Sequence, residues 1–139
     1  MGAVVRMREL RSSDGRLLVR ATLGNVNWSG ERFTLADLEA TPELSHYFTA
    51  WPPDREFGVI AENAHDLAPV GVAWARVFPA DDPGYGFVDE VTPEVSVWVS
   101  PHHAAAGAKM ARRLLWMEFD LAGTSERQIF RESVCALIR

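Results

Sequence analysis

The chain has 139 residues, 47% hydrophobic and 24% charged, the size and balance of one folded domain spanning 1–139. A net charge of −5 argues against a general nucleic-acid binder, and no apolar run approaches the roughly 18 residues a membrane span needs. The one cysteine, Cys135, rules out an intrachain disulfide and fits a reducing compartment.

Charge is unevenly placed. Residues 1–93 carry 8 basic and 14 acidic side chains, net −6; residues 94–139 carry 6 and 5, net +1. The first part suits a cationic partner and the second tolerates an anion. The N-terminal "MGAVVRMREL" has no secretory pattern, and Arg6 breaks the myristoylation pattern. A cytoplasmic protein is expected.

"VVRMREL" alternates apolar and polar residues and predicts a first strand, Val4 to Leu10. Ser12, Ser13 and Asp14 offer N-cap oxygens for a helix through Leu17, Leu18 and Ala21. "NWSGERF" reads as a loop. Thr34 and Asp37 have capping-box spacing before a short helix through Leu38. Pro42 suits the first position of a further helix, whose apolar face would be Leu44, Tyr47, Phe48 and Trp51, stopped at "WPPD". "EFGVIAE" and "VGVAWARVF", joined by the turn "NAHDLAP", predict a hairpin.

The loop that follows, "PADDPGYGFVDEVTP", is longer than most connections, which favours a functional role. "EVSVWVS" reads as a central strand, since its two faces differ little in polarity. A helix from about Gly107 to Leu121 carries the stripe Met110, Leu114, Met117 and Leu121. The tail "IFRESVCALIR" fits either strand or helix. Trp74 and Trp98 read as core or cleft packing, and His46 and His65 as surface residues. His102 and His103 are adjacent, with no accompanying ligand motif, so no metal site is expected.

Between the last strand and helix lies "SPHHAAAGAKMARRLL". A helix N-terminus leaves backbone N–H groups unpaired and carries partial positive charge. Small side chains let a phosphate reach those groups, and Lys109, Arg112 and Arg113 add charge. The Walker and dinucleotide glycine patterns do not fit. Close packing of strand and helix is the alternative use of such small residues.

With these elements in this order, "PVGVAWARVF", "DDPGYGFVDEVTPEVSVWVSP" and "ELSHYFTAWP" resemble one branch of the GCN5-related N-acetyltransferases, bacterial members with unassigned substrates. The resemblance runs from about Val4 to Leu121. It implies an α+β fold: a mixed, mostly antiparallel sheet with helices on both faces, here with an incomplete C-terminal part. It also implies acetyl transfer from acetyl-CoA, as co-substrate, to a primary amine by direct attack, without a metal. The family's phosphate motif, Gln/Arg-x-x-Gly-x-Gly/Ala, is matched only at Ala111.

Carried over residue by residue, Val97, Trp98 and Val99 would meet pantetheine through main-chain groups. Ala106, Gly107, Ala108, Lys109, Met110 and Ala111 would hold the pyrophosphate. Glu94, at the start of the fourth strand, would be the general base. Asp82, Tyr85, Asp89 and Glu90, in the preceding loop, would attract the amine. The same residues read without the resemblance are a core strand, a surface glutamate and a solvated loop. The family's later tyrosine, which protonates the leaving thiolate, has no match, because residues 122–139 hold neither Asn nor Tyr. The alternative is therefore a catalytically inactive remnant of the fold that binds CoA or a protein partner. A missing fifth strand would leave an open edge, favouring a homodimer or a strand supplied by Val134 to Ile138.

Overall fold

The computed structural model describes residues 5–49 and 57–101. In chain order they form β1 (Val5–Glu9), a 3-10 turn (Ser12–Asp14), α1 (Gly15–Val26), α2 (Leu35–Ala40), α3 (Pro42–Ser45), β2 (Phe57–Asn63), β3 (Pro69–Arg76) and β4 (Glu94–Val99). The strands make one sheet in the order β1-β2-β3-β4, antiparallel throughout. This is the antiparallel α+β arrangement that the resemblance implies. The helix expected at Gly107 to Leu121, with its phosphate stretch, and the C-terminal tail lie outside the described residues, as do His102, His103 and Trp51.

Strand alternation sorts side chains onto two faces. On one, Ile60, Val72, Trp74 and Trp98 meet Leu17, Leu18 and Ala21 of α1, with Leu10 and Phe48 packed alongside. On the other, Val59, Ala61, Val70 and Ala73 pack with Val5, Met7, Val97 and Val99. Gly24 lets α1 lie directly on β4: a methyl group there would fall 2.8 Å from Cδ1 of Trp98. Arg20 of the same helix stands 5.0 Å over the Trp98 ring.

Three expectations need correction. Ser12, Ser13 and Asp14 form a 3-10 turn, and no side chain caps α1. The Asp14 carboxylate is taken instead by Arg8, at 2.9 and 2.8 Å, and by the Arg11 N–H. The helix begun at Pro42 ends at Ser45 and continues as turns through Thr49. The shortening lets Arg76 reach the carbonyls of His46 and Thr49. His46, expected at the surface, is buried, packed between Tyr47 and Phe78 with ring centroids 4.6 and 4.4 Å away. His65 is exposed in the hairpin turn, as expected.

The capping box was legible: the Thr34 hydroxyl accepts from the Asp37 N–H, and the Asp37 carboxylate accepts from the Thr34 N–H. The predicted hairpin is β2–β3, and Trp74 and Trp98 are buried as expected. β4, expected to be central, pairs with β3; among the described residues no strand pairs with its other edge.

Candidate functional site

Glu94 opens β4 opposite Arg76, on the face that carries Ser96 and Trp98. That face looks toward the turns after α3, which hold Tyr47. The backbone there is fixed from the sheet: the Trp74 indole N–H donates to the Tyr47 carbonyl at 2.9 Å, and Arg76 donates to the carbonyls of His46 and Thr49. Two β3 side chains thus anchor a short segment with little helix of its own.

From that anchored segment the Tyr47 hydroxyl donates to Glu94 Oε1 at 2.6 Å. The Tyr47 hydroxyl oxygen in turn accepts the Tyr85 N–H at 2.8 Å. Tyr47 is 8% exposed. Burial and the hydrogen bond to Glu94 push its phenol well above the ordinary range, outweighing the opposing pull of the Tyr85 N–H. The phenol therefore stays protonated throughout any physiological range. Glu94 Oε2 is buried and has no hydrogen-bond partner among the described residues.

The long loop covers this carboxylate. Gly84 is the point of closest approach: a methyl group there would fall 2.8 Å from Glu94 Cδ and 2.9 Å from Phe78 Cδ2. A side chain at this position would collide with the carboxylate. Two bonds fasten the loop to the segment after α3, the Tyr85 N–H to Tyr47 and His46 Nδ1 to Asp82 Oδ1 at 2.9 Å. The Tyr85 ring lies parallel to that of Tyr47, centroids 6.4 Å apart, and is 79% exposed.

The predicted site residues divide accordingly. Glu94, Asp82 and Tyr85 come together around Tyr47 and His46, which sequence reasoning had read as an apolar helix face and a surface residue. No local signal could have found them, because the Tyr47–Glu94 bond joins residues 47 apart in sequence. Asp89 and Glu90 fold back on the loop itself. Asp89 accepts from the N–H groups of Val91 and Thr92, and Glu90 accepts from that of Ala80. The Thr92 and Val91 bonds hold the Asp89 carboxyl below its ordinary range.

On β4, the Ser100 N–H donates to the Val70 carbonyl. Antiparallel alternation then turns the main chain of Trp98 toward β3 and that of Val97 and Val99 toward the opposite edge. Residues 106–111 lie outside the described residues. Among the described residues no group of three or more His, Cys, Asp or Glu is placed to hold a metal ion. None of the described helices is long and apolar enough to cross a membrane.

No protein-family model matches the chain, and no curated protein matches it by sequence. Among solved structures, the chain is similar to spermidine N-acetyltransferase from Vibrio cholerae in complex with CoA and spermine, with 16% identity and a TM-score of 0.46. That match covers 84% of this chain and 64% of the other, so the chain spans a little under two thirds of that protein's length. It is also similar to an aminoglycoside N-acetyltransferase in complex with CoA, with 17% identity, a TM-score of 0.45, and coverage of 99% of this chain and 88% of that one.

Proposed function

We propose that the protein is an acyl-CoA-dependent N-acetyltransferase that moves acetyl from acetyl-CoA to a primary amine of a small molecule or peptide. The observation that carries this reading is Glu94: a carboxylate with one oxygen held by Tyr47 and the other without a partner among the described residues, at the start of a strand whose outer edge no described strand pairs. An amine must lose a proton to attack a thioester, and a carboxylate with a free oxygen can take it directly or through water. As the C–N bond forms and the C–S bond breaks, the amine proton passes toward Glu94 Oε2 and CoA leaves as the thiolate. Much of the rate would come from holding amine and thioester together.

The β4 edge supports the co-substrate part. Val97 and Val99 direct main-chain groups where an extended pantetheine arm could pair as an added strand, while Trp98 packs its ring on α1. The amides of residues 106–111 would hold the pyrophosphate. Asp82, Asp89, Glu90 and the exposed Tyr85 ring give the loop a surface that attracts a cationic amine. The same edge would serve a homodimer if a second copy paired there. The single cysteine suits a reducing, cytoplasmic setting.

A second reading is favoured by one observation, the burial of Glu94 Oε2 beneath Gly84. If the loop never lifts, the protein is a CoA-binding or protein-interaction module without turnover. A thermal-shift titration with acetyl-CoA and with CoA tests the shared premise. At roughly a hundredfold excess over Kd, selective binding should raise Tm by about 5–10 °C. No rise at saturating concentrations of either ligand would remove acyl-CoA from the account. A rise without acetyl transfer to any amine in a broad panel would favour the module.

A further inference from the structure

Tyr47 sits where base and loop meet. Its oxygen accepts one N–H, from Tyr85, so its own proton is directed to Glu94 Oε1. The ring is held in place, packed edge-on against His46 and Phe78, with its backbone carbonyl tied to the Trp74 indole. We propose that Tyr47 is a positioning residue for Glu94: it holds Oε1, stabilises the ionised carboxylate, and leaves Oε2 as the atom that receives the amine proton. This rests on the acetyltransferase reading for its chemistry, and on the geometry alone for the pairing. The two carboxylate oxygens are thereby unequal before any substrate arrives.

The arrangement links the base to the loop through one atom. The Tyr85 N–H bond ends on the oxygen whose proton serves Glu94. Uncovering Oε2 for an amine requires the loop to move at Gly84, which packs against the carboxylate.

The test is a carboxyl-carbon NMR titration of glutamate-labelled protein, with Glu94 assigned by the signal lost in Glu94→Gln. In Tyr47→Phe, which keeps the ring packing and removes the donor to Oε1, the Glu94 midpoint should move up relative to the unsubstituted protein. Replacing the tyrosines with a ring-fluorinated tyrosine, a stronger donor, should lower it; this keeps the assignment testable should Tyr47→Phe fail to fold. Acetyl transfer to spermidine, used as a probe amine, is read on the same samples, and the acidic limb of its pH profile should move with the midpoint. Titration curves that coincide in all three proteins, or that shift in the same direction in both variants, overturn the role of Tyr47 whatever the activity. Opposite shifts, with no transfer to spermidine or to a broad panel of other primary amines, support the pairing and overturn the acetyltransferase reading.

Discussion

At Gly84 the loop backbone comes closer to the Glu94 carboxylate than any side chain would permit. Adding a methyl group there should push the loop or the carboxylate aside, and Gly84→Ala is expected to cost about 1–3 kcal/mol of unfolding free energy. Truncating the carboxylate in the same chain, Gly84→Ala with Glu94→Ala, should recover much of that loss. Denaturant unfolding of both singles and the double checks it, and a coupling energy near zero would mean the two do not press on each other. Glu94, read alone, is a surface glutamate; it was legible as a candidate only through the resemblance, which implies a base at the start of the fourth strand. Its partner was not: Tyr47 carries both a core ring and a working hydroxyl, and the spacing of Leu44, Tyr47 and Phe48 reveals only the ring. His46 was misread for the same reason. Its burial depends on Phe78 and Asp82, which a long loop brings back from more than thirty positions away.

Among the elements, those with strong local signals were readable: the alternation of β1, the Thr34–Asp37 box at α2, the hairpin of β2 and β3. Elements decided by distant partners were not. The segment after α3 has helical spacing, yet its helix ends at Ser45 and its carbonyls are taken by Arg76 and Trp74. Likewise Asp14 leaves α1 uncapped because β1 offers Arg8. That cluster also sets a pH dependence. Burial would raise the carboxyls of Glu62 and Asp14, but hydrogen bonds from arginines, Arg6 and Arg8 to Glu62 and Arg8 to Asp14, aided by the Arg11 N–H, bring both below the ordinary range. Carboxyls lowered on folding add stability above their unfolded pKa, near 4, and that contribution is lost as pH falls. Arg8→Met should therefore destabilise the protein by about 1–3 kcal/mol near neutrality and have little effect near pH 2. Equal losses at both pH values, in urea unfolding, would show that Arg8 acts by packing alone.

Across the whole molecule, one antiparallel sheet places the start of β4, the turns after α3 and the long loop at a common corner. The core that holds this corner is ordinary, with Leu17, Leu18 and Ala21 of α1 set on Ile60, Val72 and Trp74, and its alternation could be read from the chain. What could not be read is that three separate segments meet on a single carboxylate, since each looks unremarkable alone. The account turns on that carboxylate taking a proton from an amine. The most direct measurement is the rate of CoA release from acetyl-CoA with a panel of primary amines, comparing the wild-type protein with Glu94→Gln. The account predicts amine-dependent release that falls about 100-fold or more in the variant, while the acetyl-CoA thermal shift stays the same. Equal rates in the two proteins would contradict it.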